Sequence, residues 1–358
     1  MMHISQHEID YLESLYANRK AFHGELHDHA NTGGTSDGQR TLCHWIGALE
    51  ALKMDFAAIL DHKQVRHMYE PEWEDGLFLC GTEPSAYISD SKAEHTEVHY
   101  NMLFDSPQPL EELLEEFPEY QFTGGREGHF GYPKFTRERF CHLIDRVKEK
   151  GGFFVHPHPK QLMRSSDPLE YWFRDWTGLE VFYRDYRDLR PGKEYTAANY
   201  ALWTQLLALG KRVWCCAGGD GHAVCSDKAL TTLYATQRTN AEMMKPLRVG
   251  DFTCGAVGIR MCIGDTLCGG ECDLANRRLL VCVSDFHPSV YIKGHTYRVD
   301  ILNAEGLVCS KELSYDDCKQ PQYMAVDTIQ SDFYRVELVD VTSEVRIALG
   351  NPIWNSRK

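Results

Sequence analysis

An α/β fold followed by a separate β-rich unit is predicted by three observations. Short apolar runs alternate with segments of helical spacing about seven times over the first two-thirds of the chain. Polar and histidine-bearing motifs sit where those apolar runs end. Beyond about Val249, helical spacing gives way to short alternating runs between Gly, Asp and Asn turns. Strand, polar loop and helix in repetition is the pattern of a β/α barrel, in which residues at strand ends converge on one face. The change of period predicts a small antiparallel β-sandwich. The expected division is a helix over residues 1–21, the α/β domain over 22–248 and the β-sandwich over 249–358. A chain of 358 residues is long enough for two domains and a large core.

Ser5 to Ala21 has one apolar side at Ile9, Leu12, Leu15 and Tyr16, which predicts a leading helix. A first strand ends at His27, and a small, polar, Gly-rich loop runs from Ala30 to Gly38. Thr41 to Met54 is helical in spacing, and Asp55 to Leu60 is a buried strand ending in Asp61-His62. Leu77 to Cys80 and Val98 to Phe104 are strands, with Glu83 just past the first and His99 near the start of the second. Leu110 to Phe117 is a helix, Tyr120 to Phe135 an irregular insertion suited to a lid, and Thr136 to Lys150 a helix stopped by Gly151-Gly152. Phe153 to Val155 leads into His156-Pro157-His158-Pro159. Asp167 to Trp176 is predicted helical and its aromatics core, Leu179 to Phe182 a strand, and Glu194 to Leu209 a helix. Arg212 to Ala217 runs into Gly218-Gly219-Asp220-Gly221-His222, and Leu230 to Ala235 is a further strand.

Composition narrows the setting. The net charge is −14 and the pI about 5.6, so no overall attraction to nucleic acid or anionic membrane is expected. No apolar run is long enough to span a bilayer, and the first residues lack the apolar core of a signal peptide; the expectation is a cytoplasmic protein. The thirteen cysteines are then expected as free thiols. Fifteen of the 17 histidines lie at or before His222, which concentrates metal-capable chemistry in the α/β region.

His27 and His29 stand two apart, and residues i and i+2 of an extended backbone point to one face, so both reach one ion. Imidazole and carboxylate donors together suit Zn²⁺, Mn²⁺ or Fe²⁺. The ordered set Leu26-His27-Asp28-His29, Ser36-Asp37-Gly38, Asp61-His62, Glu83, His99, His158-Pro159 and Asp220-Gly221-His222 resembles the motifs of the polymerase-and-histidinol-phosphatase (PHP) superfamily, over roughly Phe22 to Thr236. The β-rich tail closing on Asn351-Pro352-Ile353-Trp354 resembles that of two-domain, carbaryl-hydrolase-like members.

This resemblance implies a distorted seven-stranded barrel holding two or three divalent ions. It implies a first ion on His27, His29, Glu83 and Asp220, a second on Glu83, His99 and His158, and a third on Asp37, His62 and His222. The loop before Asp37 is longer than usual in the family, Leu60 replaces a frequent Thr, and Gly219 stands where Ser is common. The implied activity is hydrolysis of a small phosphate monoester or diester by a metal-bridging hydroxide. Asp220 then takes the nucleophile's proton, and His222 or a metal-bound water protonates the leaving group.

Lys63, Arg164 and Arg184 follow strand ends and are candidates for meeting phosphate, against the simpler reading of solvated charges. His156 competes with His158 for one ligand position, with His158 preferred, and Glu180 is either a structural hydrogen-bonding group or a direct participant. The expected partner is a small phosphorylated molecule, with neither long nucleic acid nor membrane. Alternatives are an amide, ester or carbamate hydrolase of the same fold, a nuclease acting on short oligonucleotides, and a non-catalytic binding protein.

Overall fold

The computed structural model describes residues 4–92, 97–120, 133–162, 165–185 and 195–356. The first helix, α1 (Gln6–Leu15), is closed by a capping box in which Ser5 N–H donates to Glu8 Oε2 (2.8 Å) and Glu8 N–H donates to Ser5 Oγ (3.3 Å). It is shorter than expected, because Asn18 takes a left-handed backbone (φ 66°) and the chain turns at once into β1 (Lys20–Asp28). Leu12 and Tyr16 pack against Cys262, Leu280 and Ala325, so α1 lies on the later β-rich part of the molecule.

A seven-strand run forms the frame of the first part. It comprises β1, β2 (Phe56–Ile59), β3 (Phe78–Thr82), β4 (Asn101–Phe104), β5 (Phe153–His156), β6 (Thr177–Tyr183) and β7 (Val213–Gly218), hydrogen-bonded in chain order. Neighbours are parallel except around β4, which is antiparallel to both β3 and β5. The residues of β2 to β7 are buried throughout, which is why they read as largely apolar runs, with Asn101, His156 and Glu180 among the exceptions. The last strand returns beside the first: Asp220 N–H donates to the His27 carbonyl (2.8 Å), and His29 N–H to the Gly221 carbonyl (2.8 Å). Strand ends carrying His27, His29, Glu83, His158 and Asp220 are thereby gathered at one end.

Helices α2 (Leu42–Leu52), α3 (Pro107–Glu116), α4 (Arg137–Glu149) and α5 (Tyr195–Ala208) lie close to their expected bounds. Two expectations need correction. Asp167–Trp176 makes only a 3₁₀ turn, Pro168–Tyr171, because Asp167 Oδ1 caps Leu169 N–H and Tyr171, Trp172 and Phe173 then turn into the core. An unexpected helix, α6 (Asn240–Val249), is capped by Thr239 and tolerates Pro246, which falls in its last turn. Of the insertion expected as a lid, Tyr120 to Phe135, residues 121–132 lie outside the described residues, and Lys134–Phe135 forms a short strand beside Ser85–Ile88.

After α6, Phe252–Gly255 pairs with Thr231–Ala235 and extends the main sheet through Val345–Gly350, Phe333–Asp340, Thr296–Asn303 and Gly306–Ser314. A second, four-stranded sheet is built on Gly258–Ile263, Arg278–Ser284 and Gln322–Asp327. All thirteen cysteines are free. Among the described residues no helix is long and apolar enough to cross a membrane.

Candidate metal centre

Two adjoining clusters occupy the gathered strand ends. His27, Glu83, His158 and Asp220 form one, and His29, Asp37, His62 and His222 the other; within each, one donor atom per residue lies within 4.8 Å of the rest. Glu83 sits at the junction. Its Oε2 is 3.1 Å from His27 Nε2 and 3.2 Å from His29 Nε2, and its Oε1 is 3.1 Å from His158 Nε2 and 2.9 Å from His99 Nδ1. Asp220 Oδ1 is 3.4 Å from His29 Nε2. Asp37 reaches the second cluster despite its longer loop: Oδ2 is 3.1 Å from His222 Nε2 and Oδ1 3.4 Å from His62 Nε2. The loop is positioned by Asp61, whose carboxylate accepts Ala30 N–H (2.7 Å) and the Thr32 hydroxyl.

The residues present fit divalent cations. His27 Nε2 and His29 Nε2 face one another at 3.3 Å, a spacing at which one ring donates to the other or both lone pairs converge on one cation. His29 Nδ1 and His158 Nδ1 are buried and have no hydrogen-bond partner, a costly state in a closed protein interior. A bound cation satisfies such atoms at once.

Electrostatics carries the same signature. Burial opposes charging His27, yet Glu83 and Glu180 hold its pKa well above the usual range. Burial likewise opposes charging His29 and His99, and neighbouring carboxylates still raise both to about 9. Burial pushes Glu83 and Asp220 upward, but the surrounding imidazoles pull each well below the usual carboxylate range. Protons here take the place that cations fill in a loaded site.

Glu180 joins the two halves of the centre. It comes from inside β6, its Oε1 lies 3.1 Å from His27 Nδ1, and its Oε2 accepts His158 N–H at 2.7 Å. Tyr183 was missed by sequence reasoning; its hydroxyl donates to Asp220 Oδ2 (2.7 Å), and its only signal was its place just before Arg184. Arg184 Nη2 donates to the same oxygen at 2.9 Å. Lys63 is half-buried beside His62. Arg164 lies outside the described residues. Lys63, His158, Arg184 and Asp220 all have left-handed backbones (φ 51°, 28°, 55° and 53°), a concentration of strain that tertiary contacts must sustain.

Glycine at 218 and 219 follows from how closely β7 passes β1. A Cβ at 218 meets Glu180 Oε1 at 2.2 Å, and one at 219 meets Glu25 Oε2 at 2.4 Å. A serine at 219 therefore requires the buried Glu25 carboxylate to shift. Glu25 and Asp28, both fully buried, form a pair that sequence reasoning overlooked. Burial, together with the neighbouring acid, pushes Glu25 well up; burial also lifts Asp28, to about 7. His156 is not in either cluster. It stacks on Phe173 (ring centroids 5.6 Å apart), and burial lowers its pKa to about 3.

The chain matches no family model and no curated protein. Similar solved structures exist. One is a two-domain protein from Bacteroides vulgatus containing a predicted PHP-like metal-dependent phosphoesterase, at 10% identity, 94% of this chain, 96% of that chain and TM-score 0.43. Another is an amidohydrolase from Chromobacterium violaceum with bound sulfate and no metal, at 16% identity, 56% of this chain, 87% of that chain and TM-score 0.35. A third is endonuclease Q on a 27-mer duplex with an abasic lesion at its active site, at 11% identity, 65% of this chain, 58% of that chain and TM-score 0.41. The first of these contains a predicted PHP-like phosphoesterase, the kind of protein that the motifs resemble. The duplex-bound neighbour overturns the expectation that long nucleic acid is excluded. Net charge does not decide the matter, because charges beyond about 10 Å are screened in physiological salt and a site's own groups decide what it holds.

Proposed function

We propose that this protein is a PHP-type, metal-dependent phosphoesterase acting on a phosphate monoester or diester. On this reading the seven-strand run is a distorted barrel spanning 22–248, preceded by a helical lead-in at 1–21 and followed by a β-sandwich domain at 249–358. The single observation that carries the reading is the pair of adjoining imidazole–carboxylate clusters, with buried donor atoms left unpartnered around Glu83.

His27, Glu83, His158 and Asp220 are proposed to hold one ion and His29, Asp37, His62 and His222 another, with His99 beside Glu83 completing a third position. Zn²⁺, Mn²⁺ or Fe²⁺ there supplies Lewis acidity toward a phosphoryl oxygen and an activated water. Glu180 holds His27 by Nδ1, which leaves Nε2 as the donor facing Glu83. Tyr183 and Arg184 occupy Asp220 Oδ2 and turn Oδ1 toward the imidazoles, ionised and able to accept the attacking water's proton. His222 Nδ1 lies 2.9 Å from the Asp220 carbonyl, which leaves its Nε2 lone pair for the second cluster, so the departing oxygen would take its proton from water. The P–O bond to the leaving group breaks as the new one forms. The Arg184 guanidinium, nearly half exposed beside Asp220, and the Lys63 ammonium are the cations proposed to meet phosphate. Divalent ions set against the carboxylates of Asp37, Glu83 and Asp220 would make the pocket cationic, which favours a phosphoester over a neutral amide or ester carbonyl.

The test is a panel of phosphomonoesters, phosphodiesters, carboxyl esters, amides and short and duplex DNA, assayed with each of the three metals. Metal-dependent release of alcohol from phosphoesters, inhibited by inorganic phosphate, is expected. Turnover confined to esters or amides refutes the phosphoesterase reading while leaving a metal-dependent hydrolase.

A further inference from the structure

The second cluster is built unevenly. His29, His62 and His222 come close behind strand ends, whereas Asp37, its one carboxylate, comes from the loop over residues 30–38. The Asp37 side chain is 43% exposed against 0% for His29 and 7% for His62, so burial does not hold it in place. The loop itself resists ordering: Gly33 and Gly34 take left-handed backbones (φ 75° and 66°), and glycine loses more conformational freedom on folding than any other residue. Asp61 ties only its first part, through Ala30 and Thr32. Gln64 grips the middle. Its Nε2 donates to the Gly33 carbonyl at 2.9 Å and to Thr32 Oγ1 at 3.3 Å, and its Oε1 accepts Thr35 N–H at 3.2 Å. Thr35 is joined to the cluster as well, its hydroxyl donating to the His62 carbonyl. The fit is mutual, since a Cβ at 34 would lie 2.3 Å from Gln64 Oε1. The base of Gln64 is fixed too: its N–H donates to Thr82 Oγ1 (3.2 Å), and the Thr82 hydroxyl donates to the Asp61 carbonyl (2.6 Å). Thr82 is fully buried and immediately precedes Glu83.

We propose that Gln64 is a positioning residue for the second cluster: it holds the loop that delivers Asp37, and so sets that cluster's affinity for its ion separately from the first cluster's. The inference rests on the metal-binding part of the reading above and not on the phosphoester substrate. Among the described residues the Gln64 side chain bonds the loop and Asp61 (Nε2 to Oδ2 3.4 Å), and no residue of the first cluster. Loss of its amide therefore frees Asp37 and leaves His27, Glu83, His158 and Asp220 on their own strand ends. Its partners also call for an amide and not an acid. The Gly33 carbonyl, Thr32 Oγ1 and the Asp61 carboxylate take the NH₂, and Thr35 N–H takes the oxygen. A glutamate there has no hydrogen to donate and meets Asp61 charge to charge.

The experiment titrates the full chain with Mn²⁺ and with Zn²⁺ against a competing chelator, in wild type, Gln64→Glu and the double variant Asp61→Asn with Gln64→Glu. Asp37→Asn, which removes a donor of the second cluster, marks the class of ion that belongs there. Gln64→Glu should weaken that class at least about tenfold, the low end for losing a supporting partner, and leave the other class within about twofold. In the double variant the new amide at 61 faces the new carboxylate at 64, so part of the affinity should return, a coupling that a merely destabilising change does not give. Metal-free samples are compared by hydrogen exchange, in which residues 30–38 should exchange faster in Gln64→Glu while the strands exchange as in wild type. Unchanged affinity overturns the proposal, as does equal weakening of both classes, which is what a general loss of stability produces. Selective weakening in a protein that turns over no phosphoester supports the role of Gln64 and refutes the phosphoesterase reading. Phosphoester turnover with both classes weakened alike does the reverse, so the two failures are distinguishable.

Discussion

Glu180→Gln is the most informative single change. The wild-type carboxylate accepts at both oxygens, toward His27 Nδ1 at 3.1 Å and from His158 N–H at 2.7 Å. A glutamine amide has one accepting oxygen and one NH₂. Whichever way it sits, one of the two contacts becomes donor against donor. If the NH₂ meets His27, the imidazole relieves the clash by moving its proton to Nε2, which loses the lone pair facing Glu83. If it meets His158, the strained backbone there (φ 28°) loses the bond that holds it. Either route disorders one residue of the same cluster while the shape and volume of the side chain are kept. Loss of such a supporting carboxylate typically weakens metal binding 10–100-fold, about 1.4–2.8 kcal/mol. The assay is chelator competition for metal affinity, with turnover measured against free metal. We expect weaker affinity and recovery of most of kcat at saturating metal. Affinity within about twofold of wild type, a change of only ~0.4 kcal/mol, would refute the claim that Glu180 orients His27 and His158.

Three further outcomes are expected. Asp220→Asn should lower kcat by at least ~10², the lower end for losing a general base, whereas His222→Asn should act mainly through its own cluster and weaken phosphate binding; metal content measured alongside turnover separates the two, and near-normal turnover of Asp220→Asn at matched loading removes Asp220 from proton transfer. Metal-free protein should lose stability as pH rises: His29 and His99 have folded pKa values of about 9 against 6.5, and Asp28 about 7 against 3.8, so their stabilising contribution is complete below the lower value and lost through the upper one. Glu83 and Asp220 are depressed, so theirs is lost only in strong acid. Thermal melts of the metal-free protein should therefore fall from pH 6.5 to pH 9.5; a flat profile contradicts the charge state assigned to the centre. Loading metal at pH 7 should release protons from His27, His29 and His99, read by calorimetry in buffers of different ionisation enthalpy. Gly219→Ser should be destabilising, because its Cβ falls 2.4 Å from Glu25 Oε2; a melting temperature equal to wild type would show that Glu25 moves freely.

Local pattern determined a large part of this protein. Strands over Phe56–Ile59 and Val213–Gly218 read as apolar runs because both their faces are buried. His27 and His29 reach one place because extended backbone repeats every two residues, and the strand-end position of Glu83, His158 and Asp220 followed from the alternation of elements. What depends on distant approach was decided only in three dimensions. Asp167–Trp176 has helical composition, but a cap at Asp167 and burial of its aromatics allowed one turn. His156 and His158 are two apart and look alike in sequence; β5 turns one toward Glu83 and leaves the other against Phe173. Tyr183 and Glu25 carry no motif, and neither the motif around Asp28 nor the strand end at Glu180 says what these two carboxylates touch. Their roles come from the return of β7 beside β1, which puts Glu180 on His27, Tyr183 on Asp220 and Glu25 against Gly219. Periodicity is a property of neighbours along the chain, whereas a buried carboxylate's partner is chosen by strands more than a hundred residues apart.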